Sequence, residues 1–176
     1  AFFKTLDPPC LHPRGWLFSP DAFMSTFLVT GSNRGIGFEF CRQLQQRGDQ
    51  VIAVCREPSD ELQALPVRIE AGLDQTSRDA PDQLARRLEG TVLDGVILNA
   101  GILETIAFDQ LDPDAIRRQF EVNALAPLML AQALSELMPA GSKLSLMSSR
   151  MASMDDNTSG GSYGYRMSKA ALNSAA

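Results

Sequence analysis

Histidine, tryptophan, tyrosine and cysteine are scarce in this chain of 176 residues. It has one His (His12), one Trp (Trp16), two Tyr (Tyr163, Tyr165) and three Cys (Cys10, Cys41, Cys55). A single histidine leaves a Ser-His hydrolase or a His-rich metal centre almost nothing to work with. The three cysteines share no metal-ligand spacing and make no disulfide framework, so no metal site is expected. Cys41 and Cys55 read as small apolar core residues. No apolar run reaches the roughly 18 to 20 residues that span a bilayer. Runs of Lys and Arg are missing too. Sixteen basic against 21 acidic residues give a net charge of −5, which offers no electrostatic footprint for nucleic acid or an anionic membrane.

What is present is ordinary globular composition, 44% hydrophobic and 21% charged, enough for one domain with a sizeable core. Residues 1–23 differ in texture. They hold Pro8, Pro9, Pro13 and Pro20 and the only His and Trp, and prolines this dense deny a helix its donors. They read as an added or upstream extension, with Met24 the natural start and residues 24–176 the domain; the functional alternative is an arm that docks on a partner. No secretory signal is legible, and the cytoplasm is the expected compartment. The other end, Ala176, falls inside a helical pattern, so the domain reads as truncated there.

From Thr26 onward, apolar runs alternate with amphipathic stretches. Strands are predicted at Phe27-Leu28-Val29, Gln50–Cys55, Pro66–Ile69, Val92–Leu98 and Leu144–Met147. Helices are predicted from Gly35 to Arg47, with Ile36, Phe40 and Leu44 on one face and Gly48 as its stop, and from Ser77 to Glu89, with Leu84 and Leu88 paired. A long helix follows Asp112-Pro113 to about Met138, and a last one begins near Tyr163. Strands alternating with such helices predict an α/β fold, a doubly wound parallel sheet of Rossmann-like layout, incomplete at its C-terminal edge.

Between the first strand and the first helix stands Thr30-Gly31-Ser32-Asn33-Arg34-Gly35-Ile36-Gly37. Gly31 permits the tight turn, Gly35 lets the backbone approach a pyrophosphate, and Gly37 removes a side chain from a close crossing. The helix N-terminus adds free N–H groups for phosphate. This Thr-Gly-x-x-x-Gly-x-Gly spacing resembles the short-chain dehydrogenase/reductase family. Further matches follow in family order. Leu73-Asp74 resembles the aspartate that meets the adenine amino group, and Asn99-Ala100-Gly101 resembles the family's Asn-Ala-Gly motif. Asn123 lies in the long helix, Ser148-Ser149 ends the fifth strand, and Tyr165-Arg166-Met167-Ser168-Lys169 is a Tyr-x-x-x-Lys. The family resemblance extends over nearly all of residues 24–173, and the stretch Cys55-Arg56-Glu57-Pro58 with the loop before Tyr163 looks closest to carbonyl reductases of the C-factor and sniffer type.

The residue types fit one chemistry. Positions four apart share a helix face, so Tyr165 and Lys169 project together. A tyrosine of ordinary pKa about 10 is a sluggish acid-base group near neutrality, and shifting it by three units takes about 4 kcal/mol of differential stabilisation, which a nearby ammonium helps supply. Tyr165 then protonates a carbonyl oxygen as hydride arrives, or deprotonates an alcohol in reverse. Tyr163 has Met167 as its i+4 partner and reads as a pocket residue. The resemblance implies that Ser149 bonds the same substrate oxygen, that Lys169 also holds the nicotinamide ribose, and that Asn123 holds a water linking Lys169 to solvent. Ser149 to Tyr165 is 16 positions, and the longer interval falls in the polar loop 155–161. Asn99 has a plainer alternative, the capping of backbone groups at a strand end.

Cys55 stands where NAD-preferring enzymes carry an acid for the ribose 2′-hydroxyl, and Arg56 follows it. With Arg34 as a second clamp, the expected cofactor is NADP (NADPH) and the expected substrate a small carbonyl or alcohol. No nucleic-acid or membrane partner is expected. The resemblance implies a homodimer or homotetramer paired through the two long helices, and Leu128 and Leu130 fit either that contact or the core. Two other readings share the motifs. One is a dinucleotide-binding signalling or interaction protein with weak or lost catalysis. The other is a sugar-nucleotide epimerase or dehydratase, which the glycine spacing disfavours.

Overall fold

The computed structural model describes residues 24–176 except Asn157 and Ser159. The expectations for residues 1–23, with Cys10, His12 and Trp16, lie outside the described residues. Five parallel strands form one sheet in the order β3-β2-β1-β4-β5. They are β1 (Thr26–Thr30), β2 (Gln50–Val54), β3 (Arg68–Glu70), β4 (Gly95–Leu98) and β5 (Lys143–Leu146). The expected doubly wound, Rossmann-like sheet is present. The order reverses between β1 and β4, and such a switch point opens a crevice beyond the carboxyl ends of the strands.

Successive side chains along each strand point to opposite faces, and the core divides accordingly. Leu28, Ile52, Val96 and Leu98 face one cluster with Leu84, Leu88, Leu130 and Leu134. Val29, Val51, Ala53 and Ile97 face the other with Cys41, Leu44 and Leu62. Both Cys41 and Cys55 are buried free thiols, as expected, and burial pushes the Cys41 thiol up to about 12. Leu130 is fully buried, whereas Leu128 is exposed, so only Leu130 belongs to the core.

Helix α1 (Gly35–Arg47) ends where Gly48 turns left-handed, φ 95°, and closes on the carbonyls of Gln45 and Leu44. Its buried face is Gly37, Cys41 and Leu44, not the Ile36-Phe40-Leu44 stripe that hydrophobicity suggested; Ile36 is 62% exposed. The small residues Gly37 and Cys41 are what allow the helix to lie close to the sheet. Other boundaries are tighter than predicted. The helix over 77–89 is α3, Ala80–Arg87, and β4 starts at Gly95 rather than Val92. A four-residue helix α2, Asp60–Gln63, is capped by the Ser59 hydroxyl and was not anticipated.

The long helix is the main correction. Asp112 caps it and Pro113 opens it as expected, but α4 (Pro113–Phe120) gives way to a π-turn, Glu121–Leu125, before α5 (Ala126–Leu134) resumes. A 3-10 turn, Ser135–Leu137, ends it. Pro127 has no N–H to offer the carbonyl four residues back, at Asn123. The widened turn meets that defect: Ala126 N–H donates to Glu121, five residues back. The last helix, α6 (Tyr163–Ala175), crosses α4 at Gly164. A Cβ there would lie 2.6 Å from Gln119 Nε2 and 3.2 Å from Ile116 Cα, so a side chain at this crossing would press on the Gln119 amide and on the backbone of α4.

Candidate active site

The carboxyl ends of β1, β2, β4 and β5 open into a cleft of about 980 Å³, lined by the glycine-rich turn, Cys55-Arg56, Asp74, Asn99–Gly101, Tyr165 and Lys169. Cofactor-sized sites have such volumes. Gly31 (φ 65°) and Gly35 (φ 57°) occupy the left-handed region, where a side chain is strained. They differ in surroundings. A Cβ on Gly31 would lie 2.7 Å from Ala100 Cα, while a Cβ on Gly35 would meet no atom of a non-neighbouring residue within 4 Å. Gly35 thus leaves room at the helix N-terminus, and Gly31 lets the turn press on the end of β4. Gly37 is the tightest: its Cβ would stand 2.1 Å from the Gly31 carbonyl oxygen.

Thr30 and Asn99 zip the ends of β1 and β4 together. The Thr30 hydroxyl accepts from the N–H of Asn99 at 3.1 Å and of Ala100 at 3.2 Å, and Asn99 Nδ2 donates to the carbonyls of Thr30 (3.1 Å) and Gly31 (3.3 Å). Asn99 therefore does cap backbone, and in doing so it fixes the glycine turn. Thr30 escaped the sequence reading as a site residue, although its place before Gly31 is the signal for it. The Asn33 side-chain oxygen is buried without a hydrogen-bond partner among the described residues, an acceptor still to be satisfied in the cleft. Arg34 and Arg56 are exposed at its rim. Asp74 Oδ1 accepts from the Thr76 N–H and hydroxyl. Those bonds, with a smaller contribution from the Arg56 cation, hold its carboxyl below the usual range.

Asn123 and Lys169 are buried. Asn123 Oδ1 accepts from Ile102 N–H at 2.8 Å; its Nδ2 donates to the Ile102 carbonyl at 2.8 Å and to Ser168 Oγ at 3.0 Å. Both amide protons are spent on protein, so the Asn123 side chain braces the loop after β4 against α6, and only its oxygen has capacity left for a water. Lys169 Nζ donates to the Met147 carbonyl at 2.6 Å and lies 6.0 Å from the centre of the Tyr165 ring. Burial pulls its ammonium down to about 8. Gly101 sits between these groups: a Cβ would lie 3.1 Å from Asn123 Oδ1 and 3.4 Å from Lys169 Nζ.

The serines separate. Ser149 Oγ accepts from the Met151 N–H at 3.2 Å and starts the 3-10 turn Arg150–Ala152. Ser148 lines the cleft and its hydroxyl donates to Asn173 Oδ1. Tyr163, expected as a pocket residue, is not among those lining the cleft; its ring packs at a tilt of 59° against Phe108, ring centres 5.5 Å apart. Gln75, Ser168 and Gln119 were not singled out by the sequence reading. Gln75 Nε2 donates to the Val122 carbonyl in the π-turn at 3.0 Å, which ties the Asp74 loop to the segment bearing Asn123. Among the described residues there is no cluster of three or more metal-ligating side chains, and no helix is long and apolar enough to cross a membrane.

A parallel sheet with a glycine-rich turn at its switch point, facing a helix with Tyr and Lys four apart, defines a Rossmann-like dinucleotide-binding class of oxidoreductase. The chain belongs to the short-chain dehydrogenase family, whose sequence profile matches residues 25–176. It is 44% identical over 152 residues to the 1-hydroxy-2-glutathionyl-2-methyl-3-butene dehydrogenase of Rhodococcus sp. (strain AD45), a match covering 85% of this chain and 67% of that one. The C-signal protein of Myxococcus xanthus is 41% identical over 86 residues, 47% of this chain and 52% of that protein. Among solved structures, a carbonyl reductase from Pseudomonas aeruginosa PAO1 in complex with NADP superposes with a TM-score of 0.78 at 38% identity, covering 86% of this chain and 73% of that one. The carbonyl reductase Sniffer of D. melanogaster does so at 0.77 and 28%, covering 86% and 72%. The chain thus spans about half to two thirds of the length of these curated relatives.

Proposed function

We propose that this chain forms the cofactor-binding and catalytic part of an NADP-dependent carbonyl reductase or alcohol dehydrogenase, with Tyr165 as its general acid/base. The observation that carries the reading is the assembly of Tyr165, Lys169 and the turn residues Gly31, Asn33, Arg34, Gly35 and Ile36 around one cleft. The cleft also fits the cofactor. Gly35 leaves open space at a helix N-terminus, Asn33 presents an unsatisfied acceptor, and Arg34 and Arg56 stand at the rim. In this reading Gly31, Asn33, Arg34, Gly35, Ile36 and Gly37 receive the phosphates and ribose. Arg56 pairs with the 2′-phosphate, Asp74 meets the adenine edge, and Asn99, Ala100 and Gly101 floor the nicotinamide half. When bound, the nicotinamide supplies or accepts the hydride.

The chain's own groups handle the proton. Tyr165 gives its phenolic proton to the substrate oxygen in reduction and takes it back in oxidation. The Lys169 ammonium stabilises the negative charge left on the phenol oxygen, and Ser149 donates to the substrate oxygen. Asn123 holds the loop above Lys169 in place. The similarity to C-signal supports a second reading, a dinucleotide-binding signalling protein.

Titration with NADPH and NADH, followed by NADPH oxidation with an α-dicarbonyl such as 2,3-butanedione, tests the first reading. It requires saturable binding that favours NADPH and turnover lost in Tyr165→Phe. Binding that survives in a protein with no Tyr165-dependent turnover supports the second reading instead.

A further inference from the structure

We infer that Gln119 is a positioning residue for Tyr165, wedged between the loop after β4 and the helix that carries the tyrosine; the inference rests on the acid/base reading of Tyr165 given above. Gln119 and Asn123 stand four residues apart across the junction of α4 and the π-turn, and both reach the same loop. Gln119 Oε1 accepts from the Glu104 N–H at 3.0 Å; Asn123 Oδ1 accepts from the Ile102 N–H at 2.8 Å. Alternate residues of an extended segment present their N–H groups to one side, so the two amides act as the partner strand that residues 102–104 lack. On α6 the pattern repeats at Gly164 and Ser168, also four apart. Gly164 lies against Gln119 Nε2 and Ser168 Oγ accepts from Asn123 Nδ2. Gly164 adjoins Tyr165, and Ser168 adjoins Lys169.

Gln119 is fully buried, and burying an amide is unfavourable unless it is hydrogen-bonded. Among the described residues its one other bond runs within its own helix, to the Ala115 carbonyl at 3.4 Å, which an apolar residue would make unnecessary. The bond that explains a glutamine here is the one from Glu104. Gln119 therefore stands to Tyr165 as Asn123 stands to Lys169. Each fixes the loop on one side and one turn of the catalytic helix on the other.

The test compares Gln119→Met, of similar length but apolar, with Gln119→Glu, which keeps the accepting oxygen. In Gln119→Met, hydrogen exchange at Glu104 and over residues 163–167 rises about tenfold while β1 and β2 keep their protection. In the NADPH-dependent reduction of 2,3-butanedione its kcat falls about tenfold, with the KM for NADPH held within about twofold. Gln119→Glu restores the exchange pattern and most of kcat. Gly164→Ala approaches the contact from the other side. It presses on the same amide whose oxygen holds the Glu104 N–H, lowers kcat, and replaces Gln119→Met if that variant does not fold. Unchanged kcat in Gln119→Met and Gly164→Ala, or a shift in the KM for NADPH with kcat intact, overturns the proposal. So does exchange raised across the whole sheet alike in Gln119→Met and Gln119→Glu. If the parent chain binds no NADPH, the functional reading falls, and exchange at Glu104 and 163–167 still decides whether Gln119 seats the helix.

Discussion

Lys169 Nζ and the Met147 carbonyl oxygen are 2.6 Å apart, and this bond joins the helix bearing Tyr165 to the end of β5, just before Ser148 and Ser149. The ammonium is buried and has this one protein acceptor among the described residues. A charge so placed is held by position rather than by compensation, which is why burial pulls it down to about 8. The arrangement suits a site that gains anionic groups on binding a dinucleotide, and it costs stability while the cleft is empty.

That cost has a pH signature. The folded pKa of Lys169 is lowered from 10.5 to about 8, so between those values the unfolded chain binds more protons than the folded one. Stability from this group therefore rises with pH across that window, by roughly 3 kcal/mol at most, and is absent below it. Urea melts of the cofactor-free chain and of Lys169→Met, taken from pH 7.5 to 10.5, check this. The difference between the two curves should shrink the advantage of Met as pH rises; a pH-independent difference contradicts the burial argument.

Gly37 permits no side chain. A Cβ at that position would stand 2.1 Å from the Gly31 carbonyl oxygen and 2.6 Å from Asn99 Nδ2, both part of the lock between β1 and β4. Gly37→Ala must push the glycine turn outward, an overpacking change worth about 1–3 kcal/mol or more. A lowered melting temperature is expected together with at least about tenfold weaker NADPH binding. Gly35→Ala meets no atom but must hold φ 57°, so it costs stability through backbone strain alone.

The contrast between these glycines shows what the sequence could convey. Period and punctuation were enough for five strands, their parallel pairing and the glycine turn, because Leu28-Val29 or Val96-Ile97 bury on both faces and leave little choice of element. Spacing also brought Gly31, Asn33, Arg34, Gly35, Ile36, Arg56, Asp74, Asn99–Gly101, Tyr165 and Lys169 to one cleft, whereas Gly37, Asn123 and Ser149 are not among the residues that line it. The failures have local causes. Ile36 looked like a core residue by hydrophobicity, yet it is the small Gly37 and Cys41 that face the sheet. The helix through Asn123 looked continuous because its apolar period survives Pro127, while the missing N–H reshapes the backbone into a π-turn. Contacts such as Gln75 to Val122 and Gln119 to Glu104 join positions 47 and 15 residues apart, and no local pattern encodes them.

The two serines after β5 make opposite predictions. Ser149 Oγ accepts from Met151 N–H and keeps its own proton to donate, as an oxyanion partner needs. Ser148 already donates to Asn173 Oδ1, which leaves it no proton for a substrate. Ser149→Ala is expected to lower kcat by about 100-fold with NADPH affinity unchanged. Ser148→Ala is expected to loosen α6 and lose up to about 2 kcal/mol of stability, with a smaller kinetic effect. Steady-state kinetics and thermal melts on the pair tell them apart, and a larger kcat loss in Ser148→Ala would transfer the role to Ser148.

Cofactor choice turns on charge at the rim. Cys55 follows β2 where an acid would repel a 2′-phosphate, and its thiol is buried, so among the described residues the cations lining the cleft near the end of that strand are Arg56 and, from the glycine turn, Arg34, beside the carboxylates of Glu57 and Asp74. Glu57 is the next residue in the chain, and no ion pair joins it to Arg56 among the described residues. A charge-assisted bond to phosphate is worth roughly 1.5 to 3 kcal/mol. Arg56→Ala should therefore weaken NADPH about tenfold or more and leave NADH unchanged, and Arg34→Ala should do the same through the second guanidinium. The double variant should bind the two cofactors alike, and its NADPH affinity should lose most of its dependence on salt. Fluorescence titration of both cofactors at two ionic strengths measures this. Equal weakening of NADPH and NADH in the single variants would assign the arginines to the pyrophosphate instead and remove the charge argument for NADP.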